Sequence, residues 1–99
     1  MSRIEFAPEV VDDFDRIVEH LPQHESEDAA ARVQQIISAI GALEHNPLIG
    51  RPVAGLKREL IVGRDARGYV ALYSYVAALN MVFVLAVRSQ REAGYATNP

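Results

Sequence analysis

The fold of this chain is decided by residues 56–88, which read LKRELIVGRDARGYVALYSYVAALNMVFVLAVR. Three apolar stretches rich in Val, Leu and Tyr lie within it, at residues 58–62, 69–76 and 81–88. Polar and turn-forming residues separate them at 63–68 and 77–80, so the pattern predicts three strands joined by turns. Residues 69–87 are long and apolar enough to raise the question of a membrane helix. Their Val and Tyr content and the polar Asn80 favour two buried strands instead.

The apolar residues before this stretch have the spacing of one short strand followed by two helices. Residues 4–6 alternate as a short first strand, and a helix is predicted to begin at Pro8 and to stop at Pro22. A second helix is predicted to open at Ser26 and to end before Pro47. The predicted architecture is therefore an α+β domain spanning residues 1–99. It has an N-terminal strand, an α-helical hairpin on one face, and then a three-stranded antiparallel sheet.

The two faces of the predicted sheet differ in chemistry. On residues 69–76, alternation places Tyr69, Tyr73 and Tyr75 on one face and the aliphatic residues on the other. Helices are expected on one face only, and the tyrosine face is predicted to be the open one because a phenol can sit half in water. A partner protein would dock there. Residues 47–55 are predicted to form a loop, and residues 89–99 a loose tail.

Composition narrows the class of protein. The 99 residues are 49% hydrophobic and 23% charged, which is typical of one globular domain. The absence of cysteine excludes disulfides and thiolate chemistry and suits a reducing compartment. The N-terminal residues lack the apolar segment of a signal peptide, so a cytoplasmic location is expected.

Charge is distributed unevenly along the chain. Residues 1–46 hold three Lys/Arg and ten Asp/Glu, whereas residues 47–99 hold seven and three. An anion-binding surface would therefore belong to the second half. Its cations are Arg51, Lys57, Arg58, Arg64, Arg67, Arg88 and Arg91. With the tyrosines they offer contacts to phosphates and unpaired bases. Alternatively, the arginines are solvated strand ends and the tyrosines pack.

No familiar catalytic motif or cofactor-binding motif is present. The glycines lack the spacing of a phosphate-binding loop. His20 and His24 are four residues apart, but Pro22 between them disfavours the regular helix that would bring them together on a metal. No cofactor and no metal site are therefore expected.

The order of several short segments resembles the RelE/ParE superfamily of toxins from type II toxin–antitoxin systems, among them the ParE-like plasmid stabilisation proteins. Residues 46–52 (NPLIGRP) resemble the ParE-like loop after the helices, and residues 56–63, 68–73 and 82–88 resemble the three-strand core. Residues 88–95 (RSQREAGY) are similar to the C-terminal motif. The resemblance covers residues 4–95 and implies the α+β fold derived above.

The resemblance implies one of two mechanisms. A RelE-like toxin cuts messenger RNA on the ribosome without a metal. Arg64 and Arg88 would then hold the phosphate, and Tyr95 would stack on a base or act near the leaving group. The other cations that would contact the RNA are Lys57, Arg58, Arg67 and Arg91. A ParE-like toxin binds DNA gyrase and needs no catalytic residue of its own.

Several departures from the RelE-like pattern favour gyrase. The chain has a single lysine, no histidine near its C-terminus and a net charge of −3, whereas RNA binding depends on cations. Under either mechanism the resemblance implies a cognate antitoxin, an acidic segment of which would meet Tyr69, Tyr73 and Tyr75. A different class of function is a non-toxic interaction module.

Overall fold

The computed structural model describes residues 1–21, 28–64 and 67–96. The α+β class is confirmed, with the two helices following the first strand and the longer strands at the end. The predicted helix boundaries at Pro22 and Ser26 lie outside the described residues. The elements are β1 (Arg3–Phe6), α1 (Glu9–Glu19), α2 (Ala29–Gly41), β2 (Arg51–Val53), β3 (Lys57–Val62), β4 (Tyr69–Val76) and β5 (Met81–Ser89).

The strands form one five-stranded sheet in the order β1-β5-β4-β3-β2. β1 lies parallel to β5, and the other neighbours are antiparallel. The predicted count of three strands is therefore wrong. β1 joins the same sheet, and β2 forms inside the predicted loop. Pro52 is tolerated there because β2 is an edge strand, in which a residue can face outward and does not need a backbone N–H for pairing. The turn between β2 and β3 depends on left-handed backbone at Gly55 and Leu56, with φ of 78° and 59°.

Both helices pack on one face of the sheet. The apolar sides of α1 and α2 supply Val10, Ile17, Ile36 and Ile40 to a buried cluster, and Leu43 joins them from the turn after α2. Burying five such side chains supplies much of the hydrophobic free energy of folding, at roughly 1.5–3 kcal/mol for each. The sheet contributes the following residues to the same cluster: Val62, Tyr69, Ala71, Tyr73, Val82, Val84 and Val87.

The tyrosines of β4 lie on the helix-covered face, so the prediction that their face is open is wrong. The predicted alternation is correct, but alternation does not decide which face the helices cover. Tyr73 is fully buried and Tyr69 nearly so, while Tyr75 is partly buried against the same cluster. Burial of Tyr73 is tolerated because its hydroxyl has partners inside the protein.

The 69–87 segment forms β4 and β5, as predicted. A turn at Ala77–Leu79 and a left-handed Asn80 (φ 50°) join the two strands. Across the described ranges, no helix is long and apolar enough to cross a membrane.

Candidate functional site

Two of the predicted site residues, Arg88 and Tyr95, meet on the helix-free face of the sheet. β5 places Arg88 opposite Val70, and the guanidinium carbon lies 5.2 Å from the centre of the Tyr95 ring. The Tyr95 hydroxyl donates a 2.6 Å hydrogen bond to Oε2 of Glu59 on β3. Arg51 on the edge strand donates to Glu59 Oε1 from Nη2 and Nε, at 2.8 and 3.0 Å. We call Arg51, Glu59, Arg88 and Tyr95 the Glu59 cluster.

The Glu59 cluster is organised around an ionised carboxylate. Burial alone would raise the pKa of Glu59, but hydrogen bonds from Tyr95 and Arg51 and the nearby charge of Arg88 together lower it below its ordinary value. Burial and the hydrogen bond to Glu59 raise the pKa of Tyr95 far above its ordinary range. Tyr95 is therefore a neutral phenol that donates to Glu59, and it cannot act as a base near neutral pH.

The chain after β5 is fastened to the sheet and to α1. Glu92 accepts from Arg16 Nε at 2.7 Å and from the Ser89 backbone N–H at 2.6 Å. Arg16 also pairs with buried Asp13 at 2.7 Å, and the other Asp13 oxygen accepts from the Val87 backbone N–H at 2.9 Å. The prediction of a loose tail is therefore wrong for residues 90–96, while residues 97–99 lie outside the described ranges.

The remaining predicted cations are dispersed. Arg58 lies on the helix-covered side, where Nη1 donates to the carbonyl oxygens of Leu48 and Gly50 at 3.1 and 2.8 Å. Arg64 is exposed in the turn after β3 and pairs with none of the described acidic residues. Arg67 and Arg91 line a cavity beside α1 instead. The structure therefore does not bring Arg64 together with Arg88, as a shared phosphate clamp would require.

The tyrosines predicted to bind an antitoxin are held inside the fold. Tyr73 donates to the Pro47 carbonyl oxygen at 2.7 Å and accepts from the Gly50 N–H at 2.9 Å. The Tyr69 hydroxyl accepts from Arg32 at 3.2 Å. Only Tyr75 keeps substantial exposure, and its hydroxyl donates to Asn80. Tyr69 and Tyr73 are therefore core residues with almost no exposed surface for an antitoxin, and of the three only Tyr75 stays available to one.

Large aliphatic side chains are exposed just before β2 and at the tip of the β2–β3 hairpin. Leu48 and Ile49 are each 58% exposed, and Leu56 is 95% exposed at the tip of the β2–β3 hairpin. The loop that carries Leu48 and Ile49 is held by the hydrogen bonds of Tyr73 and Arg58, so these side chains project from a fixed backbone. We call Leu48, Ile49 and Leu56 the apolar tip.

Sequence reasoning missed the carboxylates that organise both networks. Glu59 is the one acidic residue in an otherwise basic and apolar strand, and alternation from Leu60 would have placed it on the helix-free face. Asp13 occupies a position on the apolar side of α1, three residues from Val10 and four from Ile17. An acidic residue at a core position predicts a buried partner, and that signal was available.

No metal site is found among the described residues, since none of their His, Asp and Glu side chains form a group of three suited to an ion. His24 lies outside those residues. Nδ1 of His20 lies 2.8 Å from the Arg16 carbonyl oxygen at the end of α1.

The fold is a small α+β domain with both helices on one face of a five-stranded sheet. A family model described as the ParE toxin of type II toxin–antitoxin systems, parDE, matches residues 4–94. The chain therefore belongs to the ParE toxin family. No curated protein sequence matches it significantly.

Solved structures share this fold at low sequence identity. A chain of the chromosomal ParDE system from P. aeruginosa is 22% identical, with a TM-score of 0.73 over 90% of this chain and 96% of that chain. The E. coli RelBE toxin–antitoxin complex contains a chain that is 15% identical, with a TM-score of 0.60 and coverage of 93% and 100%. A chain of the RelBE2 toxin–antitoxin complex from Mycobacterium tuberculosis is 24% identical, with a TM-score of 0.56 over 90% of this chain and 98% of that chain.

Proposed function

We propose that this chain is a cytoplasmic toxin that inhibits growth by binding DNA gyrase and not by cutting messenger RNA. The observation that carries the proposal is the Glu59 cluster. In it, a buried carboxylate occupies the position between the two arginines of the helix-free face. Membership of the ParE family, whose gyrase-binding mechanism the sequence resemblance implied, points the same way.

RNA cleavage by a ribose 2′-hydroxyl needs a base, cations for the phosphate and an acid for the leaving oxygen. In the Glu59 cluster the carboxylate compensates one of the two arginines and repels an incoming phosphate. The phenol of Tyr95 is committed to Glu59, and its raised pKa makes it a poor acid. Arg64 makes no contact with the cluster. The cleavage machinery implied by a RelE-like resemblance is therefore incomplete and partly neutralised.

Binding to a protein target calls for an exposed apolar surface on a fixed backbone. The apolar tip provides one, since three large aliphatic side chains lie within nine residues. The flanking Arg51, Lys57 and Arg58 are basic, and residues 47–58 contain no acidic residue. The apolar tip is accordingly our choice for the surface that meets an acidic face of the target.

A cognate antitoxin is the second partner of the proposed function. The P. aeruginosa and E. coli relatives were solved as parts of toxin–antitoxin systems. Because Tyr69 and Tyr73 are buried, the antitoxin needs another surface. A groove of about 460 Å³ beside the edge strand β1 is lined by Phe6 and Ile37, both partly exposed. An extended antitoxin segment could pair with the free edge of β1 and place apolar side chains there.

The experiment expresses the chain in bacteria with and without the antitoxin gene from its own operon and follows growth and plasmid topology. Growth arrest with relaxed plasmids and intact messages, relieved by the antitoxin, is the expected result. Growth arrest with cleaved messages would overturn the gyrase proposal in favour of a RelE-like nuclease. Normal growth with abundant folded protein would favour a non-toxic interaction module.

A further inference from the structure

A cavity of about 300 Å³ lies between the helices and the end of the sheet that carries Tyr69 and Ser89. It is bounded by the end of α1, the first turn of α2, the start of β4 and the turn after β5. Among the ten described residues that line it, four are arginines, one is acidic and the rest are mostly apolar or neutral. The arginines are Arg16, Arg32, Arg67 and Arg91.

Glu92 is the one carboxylate among the described residues of the wall, and it does not neutralise Arg67 or Arg91. Glu92 is already engaged by Arg16, at 2.7 and 3.3 Å, and by the Ser89 backbone N–H. Arg16 in turn uses Nη1 for Asp13 and Nη2 also for the Val87 carbonyl oxygen, so this ion pair is closed within the protein. Arg67 and Arg91 add positive charge at the cavity, which Arg32 also lines.

These three guanidinium groups come from different parts of the fold. Arg32 donates to the Tyr69 hydroxyl at 3.2 Å and is thereby oriented at the cavity wall. Arg67 and Arg91 are exposed, and neither makes an ion pair with the described acidic residues. Guanidinium groups present paired N–H donors that match the oxygens of carboxylates and phosphates.

The floor of the cavity is apolar. Ile17 and Leu21 of the α1 region and the ring of Tyr69 form it. Near the end of α1, the carbonyl oxygens of Arg16 and Val18 accept from the backbone N–H groups of His20 and Leu21. A volume of this size holds a small ligand or one large side chain.

From this arrangement we propose that the cavity binds an oxyanion carried on an apolar body, with Arg67 and Arg91 as its principal contacts. A free phosphate-bearing or carboxylate-bearing small molecule and an acidic side chain of a bound protein share this chemistry. The proposal does not depend on gyrase being the target. It assigns a ligand to a surface that the proposed gyrase-binding function does not use.

The test titrates the full-length chain with phenyl phosphate, benzoate and inorganic phosphate at 0.15 M salt, followed by amide chemical shifts in NMR spectra. Saturable binding of phenyl phosphate is expected, with shifts at residues 67–69 and 89–92. Inorganic phosphate should bind several-fold more weakly because it lacks an apolar body. If phenyl phosphate binds more tightly than benzoate, the ligand carries a phosphate. If benzoate binds more tightly, the ligand carries a carboxylate.

Matched variants distinguish binding at this cavity from nonspecific electrostatic attraction of the anionic probe to the protein. Arg67→Gln and Arg91→Gln should each weaken phenyl phosphate binding at least fivefold, with unchanged circular dichroism because both side chains are exposed. Arg3→Gln removes the same charge at a distance, from an exposed pair with Glu5, and should have no effect. Equal losses in all three variants, shifts at Glu59 and Arg88 instead, or no saturation at 10 mM probe would overturn the proposal.

Discussion

Tyr73 links the core to the loop that carries the apolar tip. Its hydroxyl satisfies both the Pro47 carbonyl oxygen and the Gly50 N–H, and a Cβ at Gly50 would lie 2.7 Å from the ring. We expect Tyr73→Phe to lower the free energy of unfolding by about 1–3 kcal/mol, because two backbone groups lose their partner. Tyr75→Phe, whose hydroxyl is more exposed, should cost less than about 0.5 kcal/mol. Urea unfolding measures both, and equal effects would contradict the role of Tyr73.

The carboxylates give the protein a defined acid sensitivity. The pKa values of Glu59 and Glu92 are lowered in the folded protein from an ordinary 4.5, despite burial, chiefly by hydrogen bonds from Tyr95 and Arg16 respectively. The stability they contribute is fully present above pH 4.5 and is lost as pH falls through the lower folded values. We expect the urea midpoint to fall between pH 5 and pH 3, and less steeply in Glu59→Gln. An identical slope in that variant would contradict the assignment.

At the scale of single residues, the sequence predicts which side chains share a face but not what covers that face. Alternation correctly grouped Tyr69, Tyr73 and Tyr75. The covered side is set by where the helices pack, which depends on contacts distant in sequence. Arg88 and Tyr95 do lie together, as the resemblance implied, but Glu59 between Tyr95 and Arg51 changes the chemistry of the site.

The β2–β3 hairpin combines backbone strain with exposure. Leu56 has φ of 59° and is 95% exposed, so its side chain adds little to the core while its backbone is in a region that glycine prefers. We expect Leu56→Gly to raise the free energy of unfolding by roughly 0.5–1 kcal/mol, the relief of strain exceeding the entropy cost of glycine.

The same change should weaken gyrase inhibition, because it removes the largest exposed part of the apolar tip. Leu79→Gly removes a leucine of 60% exposure from the far turn between β4 and β5 and serves as the control for inhibition. Unfolding curves and supercoiling assays are measured for the parent protein, Leu56→Gly and Leu79→Gly. If Leu56→Gly inhibits as well as the parent, the apolar tip is not the target-binding surface.

α1 is attached to β5 by hydrogen bonds between its Asp13–Arg16 ion pair and the Val87 backbone. Removing the guanidinium would leave the Asp13 carboxylate at 1% exposure with only the Val87 N–H as a partner. We expect Arg16→Met to cost about 3 kcal/mol and to speed hydrogen exchange at the Ser89 and Glu92 amides. Arg3→Met, in an exposed pair, should cost less than about 1 kcal/mol. A loss in Arg16→Met no larger than in Arg3→Met would rule out this attachment.

At the scale of elements, the apolar runs and helical periodicity predicted β3, β4, β5 and both helices. β2 was missed because its Pro- and Gly-rich surroundings favour a loop. Its three residues become a strand only by pairing with β3 around the left-handed turn. The parallel placement of β1 beside β5 could not be predicted for a similar reason. Paired residues such as Glu5 and Phe83 are 78 positions apart in the sequence and meet only after folding.

For the whole molecule, folding divides the basic second half into separate surfaces. Arg51 and Arg88 surround Glu59, Arg67 and Arg91 line the arginine-rich cavity, and Arg58 fixes a loop. An even basic surface, as RNA binding would require, is not formed by the described residues. The charge asymmetry of the sequence was therefore a correct observation, but it could not show that the arginines serve different tasks.

The most direct test of the central claim measures supercoiling by purified gyrase and cleavage of a ribosome-bound message side by side, with the purified chain added to both. Our account predicts that supercoiling is lost in proportion to added protein while the message stays intact. It further predicts that Leu56→Gly weakens the effect and Leu79→Gly does not. Cleaved message with unaffected gyrase would contradict it.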